Sequence, residues 1–263
     1  MNIIDFENIH VGYDEKIILK ELTLKIKQNE HWAILGSNGC GKSTLIKLML
    51  SEIHPRKKYT YKKEIMGKQR YSIFELKKQL GIITNDLHNY FEKNGAFLLG
   101  YEVVLSGFYS SIGIFKHQDF TKEQHDTALQ TMIFLEIEEL KDKLVCEMST
   151  GQLRKCIIAR ALIHKPKAFI LDEPTVGLDI KAQDNFIKLL RKLSKKSSII
   201  LVTHHIEEIF KEINKVALIK DNTIYKSGNK EDILNSKNLS NVFNINIELD
   251  KQNDRYFIKS INN

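Results

Sequence analysis

Residues 33–45 read AILGSNGCGKSTL, an apolar run that stops at Gly36 and gives way to three glycines, a lysine and three hydroxyl residues. Glycine packs nothing and costs conformational entropy, so such a cluster at the mouth of a hydrophobic strand needs a backbone reason. The spacing of Gly36, Gly41, Lys42 and Ser43 fits G-x-x-x-x-G-K-[ST], a loop whose consecutive N–H groups point inward at an anionic phosphate. Leu45, Leu48 and Met49 follow at helical spacing, which predicts a helix aimed with its positive end at the same anion. Lys42 would then reach the terminal phosphates and the Ser43 hydroxyl a magnesium ion. The loop runs through Ser37, Asn38, Gly39, Cys40 and Thr44, where backbone rather than side chain is needed. A plain glycine-rich turn is the alternative reading, and the rest of the chain decides between the two.

With 263 residues, 42% of them hydrophobic, the chain suits one large α/β domain or two small ones. A net charge of +7 would fit a nucleic-acid or membrane-surface protein, but the lysines are scattered along the chain. The densest basic run, PRKKYTYKK from Pro55, reads as a solvated hairpin edge, and no nucleic-acid partner is expected. No segment approaches the roughly 18 apolar residues of a membrane span, and MNIIDFENIH does not resemble a signal peptide, so a cytoplasmic location is expected. Cys40, Cys146 and Cys156 lack metal-type spacing and are expected as reduced thiols, with Cys40 a possible point of attack for thiol reagents.

Two textures of strand are present. IIDFENIHVGY and ELTLKIKQNE alternate as half-buried antiparallel strands do, whereas HWAIL, KAFILD and SSIILVT are nearly continuous apolar runs suited to a parallel sheet covered on both faces. Between these core runs, 86–165 has helical periodicity. VALIKDNTIYKSG places Asp221 and Asn222 at a hairpin turn, and beyond Ser240 the chain is polar with RYFIKSI as a strand candidate. The divisions read as 1–85 for an antiparallel sheet and the first part of the core, 86–165 for a helical insertion, 166–240 for the second part of the core, and 241–263 for a tail.

AFILDEP is a strand ending in two acids, on the sheet edge where α/β proteins bind ligands. Asp172 there is placed to hold magnesium and Glu173 to polarise an attacking water, although strand-capping acids before Pro174 would explain the segment if it stood alone. It does not stand alone.

MSTGQ at Met148–Gln152 resembles the L-S-G-G-Q signature of the ATP-binding cassette family, and the resemblance covers about residues 3–230. It implies a P-loop NTPase (RecA-like) α/β core with a parallel sheet, an antiparallel β subdomain and an inserted α-helical subdomain. It also implies ATP and Mg2+ as cofactors, hydrolysis to ADP and phosphate, and a head-to-tail dimer in which Ser149, Gly151 and Gln152 of one subunit meet the γ-phosphate held by the other. TVGLD is similar to the family's D-loop, with Asp179 contacting the opposite subunit, and LVTHH puts His204 at the switch-histidine position. Tyr13 falls where the family stacks an aromatic on adenine. The family's glutamine, which touches magnesium, is replaced by Asn85, one methylene shorter, beside Asp86; Thr150 replaces the first signature glycine. EVVLSGFY and THHIEEI are similar to single-cassette proteins of the molybdate-transport (ModF-like) type and to metal-chelate importers. THHIEEI lacks the H-E-x-x-H order of a metal site.

The resemblance implies an ATP-binding transport subunit acting on a separate membrane-spanning permease from the cytoplasmic face. The alternative is a soluble cassette ATPase acting on nucleic acid, ribosome or regulation.

Overall fold

The computed structural model describes residues 1–262. The chain opens with the antiparallel pair β1 (Asn2–Tyr13) and β2 (Lys16–Lys27), then β3 (Trp32–Gly36), the glycine loop and α1 (Lys42–Met49). β4 (Lys62–Ile65), α2 (Ile73–Gln79) and β5 (Leu80–Ile83) lead into four helices, α3 (Asn85–Asn94), α4 (Gly100–Leu105), α5 (Lys122–Phe134) and α6 (Thr150–Leu162). The core resumes with β6 (Ala168–Asp172), α7 (Ile180–Ser194), β7 (Ser198–Thr203), β8 (Lys215–Lys220) and β9 (Thr223–Asn229). The short α8 (Lys230–Ile233), α9 (Ser236–Phe243) and the hairpin β10 (Asn246–Gln252) and β11 (Arg255–Asn262) complete it.

Six strands form one sheet in the order β5-β6-β7-β3-β8-β9, parallel except for the last pair. Each central strand is buried on both faces, which is why its sequence is a continuous apolar run. Trp32 and Ile34, Ile170, Ile200 and Val202, Ala217 and Ile219 face one core, which the β2-β1-β4 sheet and α1 close with Phe6, Ile9, Leu45 and Leu48. Ala33 and Leu35, Phe169 and Leu171, Ile199 and Leu201, Val216 and Leu218 face the other core, filled from α6 and α7 by Ile157, Ile158, Phe186 and Leu190. The period-2 alternation thus divides every strand between two cores. Because β3, β5, β6 and β7 run parallel, the glycine loop, Asn85, Asp172 and His204 all emerge from the same sheet edge.

Asp221 and Asn222 form the β8–β9 turn with φ of 49° and 68°, the left-handed pair a tight hairpin needs. Two readings change. The basic run after Pro55 does end in an edge strand, but Lys63 pairs across from Phe6 and so stands on the core side rather than in solvent. The stretch after Ser240, read as a polar tail with a strand candidate at RYFIKSI, does carry that strand as β11, but it folds back as a ribbon with Ile247 and Tyr256 buried in the second core. Its sequence looks polar because only one face of a two-stranded ribbon meets the core. Among the described residues no helix is long and apolar enough to cross a membrane.

Candidate nucleotide site

The glycine loop is held by close approach. A side chain at Gly36 would start 2.9 Å from the Ile219 carbonyl oxygen of the adjacent β8, and Gly41 sits at φ 105° against Leu19 as the N-cap of α1. A side chain at Gly36 would displace the neighbouring strand, and one at Gly41 would be strained by its positive φ. Lys42 is almost wholly buried, and its Nζ donates to the carbonyl oxygens of Gly36 at 2.9 Å and Ser37 at 3.2 Å. The loop therefore tethers a positive charge at its own mouth. Cys40 is buried, and burial pushes its thiol up against a smaller opposing pull from Lys42. That corrects the expectation of a thiol-sensitive loop, since little thiolate exists at neutral pH.

Asp172 ends β6 and Glu173 follows at φ 45°, with its N–H donating to the Val202 carbonyl at 2.9 Å. This left-handed kink turns the Glu173 carboxylate away from the strand line, where Oε1 lies 2.5 Å from His204 Nδ1 and 4.0 Å from Lys42 Nζ. Burial, reinforced by the adjacent Glu173 and opposed by Lys42, raises the Asp172 carboxyl to about 6. Asn38, Gly39, Gly41, Lys42, Ser43, Thr44, Asn85, Asp172 and Glu173 line one pocket of about 490 Å³. A lysine, two carboxylates and a hydroxyl thus converge on a helix N-terminus, an arrangement suited to phosphoryl chemistry.

The chain matches the ABC transporter family model over residues 19–176. It is 30% identical over 263 residues to the uncharacterized ABC transporter ATP-binding protein YmeB of Lactococcus lactis, covering 98% of each. It is 32% identical over 204 residues to the ABC transporter ATP-binding protein ModF of Escherichia coli, covering 75% of this chain and 40% of ModF. A chain of a metal-chelate type ABC transporter solved in an inward-facing conformation matches with a TM-score of 0.79 at 25% identity, covering 98% and 96%. The protein belongs to the ABC transporter family. It is an ATP-binding subunit of that family, an ATPase with a transport role, on an α/β cassette fold.

Other cassette positions lie apart from the pocket lining. Ser149 caps α6: its Oγ accepts from the Gln152 N–H at 3.3 Å, while Gln152 Oε1 accepts from the Ser149 N–H at 3.0 Å and from Lys143 at 3.1 Å. Gly151 faces Leu178 and Ala182, so this cassette's signature turn packs against the segment carrying Asp179. Asp179 caps α7, accepting from the Ala182 N–H at 2.7 Å. Both caps are solvent-exposed. Tyr13 ends β1, 46% exposed, with Lys47 Nζ 6.0 Å from its ring centre.

Asn85 is the first residue of α3 rather than part of a loop, because Thr84 caps the helix by accepting from the Leu87 N–H at 3.2 Å. Its Oδ1 accepts from Arg154 Nη2 at 3.0 Å. Arg154 and Glu208 were missed by sequence reasoning. Arg154, buried on α6, also donates to the carbonyls of Pro174 and, at 3.1 Å, Val176. Glu208, 3% exposed, accepts from the Thr175 N–H at 3.0 Å and from its hydroxyl. Arg154, two residues past Gln152 in a helix, carries the only available signal: a charge on the apolar face of an amphipathic pattern.

Proposed function

We propose that two copies of this ABC subunit bind Mg-ATP head to tail at a shared interface and hydrolyse it to drive a separate membrane-spanning permease from the cytoplasmic face. The observation that carries this reading is the contact of Glu173 with His204 beside Lys42 in the phosphate pocket. Lys42 and the N–H groups from Gly36 to Thr44 bind the phosphates. Glu173 accepts the proton of the attacking water, and His204, bonded to the same carboxylate, holds it in place. Tyr13, at the rim, stacks on adenine.

Ser43 and Asp172 offer hard oxygens in the same pocket, with Asn85 beside them, a donor set that fits magnesium completed by phosphate oxygens and water. When bound, the ion would neutralise charge on the β- and γ-phosphates. Asn85, whose amide oxygen already accepts from Arg154, would contribute to holding the ion directly or through water.

The signature turn, exposed at Ser149 and half-buried at Gly151 and Gln152, supports the dimer. Ser149, Gly151 and Gln152 present a helix N-terminus outside this chain's own pocket, free to meet a phosphate held by the second copy, with Asp179 alongside. A cleft of about 350 Å³ between α1, β5, α3 and α6, lined by Leu87, Tyr90, Ile112 and His164, suits a helix of the permease. Tagged Glu173→Gln protein, captured from detergent-solubilised membranes with Mg-ATP, is expected to bring down one multi-span protein in near-equal amount. Recovery of ribosomes, nucleic acid or the subunit alone refutes the transport assembly.

A further inference from the structure

A second pocket, of about 490 Å³, opens beneath the edge strand β4 and shares no lining residue with the nucleotide pocket. Its wall comprises Ser51, His54, Lys62, Lys63, Arg70 and Tyr71, with no carboxylate among the lining residues. Ser51 follows α1, whose eight residues place the pocket roughly 12 Å from the glycine loop, at the other end of the helix.

The charge balance of this wall is unusual. Lys62 is neutralised by Asp5 at 2.8 Å. Lys63 is not: it stands opposite Phe6 on the core side of the sheet, and its Nζ donates at 2.8 Å to Ser51 Oγ, which is itself bonded to Tyr71 Oη. Among the described residues no carboxylate bonds Lys63, Arg70 or His54. The C-terminal end of α1 supplies at most about half a negative charge, too little to balance a lysine and an arginine. A half-buried ammonium held by hydroxyls alone carries a charge that no side chain here compensates, and an anion entering the pocket would compensate it. Lysine and arginine together, beside a bonded hydroxyl pair that keeps one O–H free, match a phosphate-type oxyanion in charge and supply several donors.

We propose that the pocket beneath β4 binds the phosphoryl group of a small molecule, with Lys63 as the half-buried cation, Arg70 as the rim donor and the Ser51–Tyr71 hydroxyl pair completing the cradle. An inward-pointing lysine also discourages edge-to-edge pairing of sheets. That role alone needs neither the hydroxyl pair nor Arg70, and it makes a different prediction.

Burial alone lowers Lys63 to about 8, so near neutral pH it has far more free amine than a surface lysine. Pyridoxal phosphate is therefore the probe. Its phosphate docks in the cradle while the Lys63 amine lone pair attacks the aldehyde carbon; an imine forms, water leaves, and borohydride hydride reduces the C=N bond to a stable amine. The reaction is run on the full chain without nucleotide, and labelled lysines are mapped by peptide mass spectrometry, which separates Lys63 from Lys42.

Lys63 is expected to label about tenfold or more faster than the median lysine. Arg70→Ala, an exposed substitution that leaves the fold intact, is expected to reduce that labelling severalfold. Protection by millimolar inorganic phosphate identifies the free anion as sufficient. Protection by glycerol 3-phosphate alone identifies a phosphorylated organic ligand. Labelling at the surface rate, or fast labelling that neither phosphate nor Arg70→Ala reduces, overturns the proposal and leaves Lys63 as a guard of the sheet edge.

Discussion

At the scale of single residues, the nucleotide site is a balance of buried charges. Lys42 is held by two carbonyls with no side chain to replace its charge, so Lys42→Ala leaves the phosphates without their cation. Hydrogen bonds to charged groups are worth about 1.5–3 kcal/mol, and isothermal titration should show ATP affinity falling roughly tenfold to a hundredfold. Asp172 gives a pH-dependent prediction. Its folded carboxyl is raised to about 6 by burial and by Glu173, above the unfolded value, so between roughly 4 and 6 the folded state holds more protons than the unfolded state. The stability this contributes is present at low pH and lost as pH rises through about 6. Asp172→Asn should therefore melt higher than the native protein at pH 7.5 without nucleotide. The gap should close near pH 4.5, and a gap constant with pH would show that Asp172 carries no such penalty.

At the scale of elements, Arg154 joins three pieces of chain that the sequence holds far apart. From α6 it reaches the first residue of α3 and the carbonyls of Pro174 and Val176 in the turn after Glu173. Removing it leaves buried acceptors without donors, so Arg154→Ala should lower the denaturant-unfolding free energy by about 3 kcal/mol. Arg154→Lys should recover only part of this, since a single ammonium does not reproduce a planar fork. Equal stability of Arg154→Ala and the native chain would mean that α6 and the turn are held by packing alone. The elements themselves were largely legible: the apolar runs of β3, β6 and β7 and the alternation of β1 and β2 follow from which faces are covered. Arg154 was not, because an arginine inside a helical pattern looks the same whether it meets solvent or a neighbouring turn.

At the scale of the whole molecule, the C-terminal ribbon is part of the core. Ile247 and Tyr256 are buried, the Tyr256 hydroxyl donates to Glu231 at 2.9 Å, and Arg255 pairs with Asp184 of α7 at 2.9 Å. Truncation after Asn244 exposes the surface these two side chains cover and should cost roughly 3–6 kcal/mol at about 1.5–3 kcal/mol per buried side chain, read as a lowered thermal midpoint. Undiminished stability would make the ribbon an appendage. Glu173→Gln should slow hydrolysis by about a hundredfold or more. It should also accumulate as an ATP-dependent dimer in sedimentation, and a monomer at saturating Mg-ATP would contradict the shared site. By itself the sequence determined the glycine loop, the acidic pair, the signature turn and the two kinds of sheet, because each rests on local backbone geometry or on a short burial period. Tertiary structure alone decided that Glu173 meets His204, that Arg154 and Glu208 brace the turn between them, that Lys63 faces inward and that the polar tail closes the second core. Each of these depends on which strand lies beside which, and strand order comes from the packing of distant segments, which no local pattern encodes.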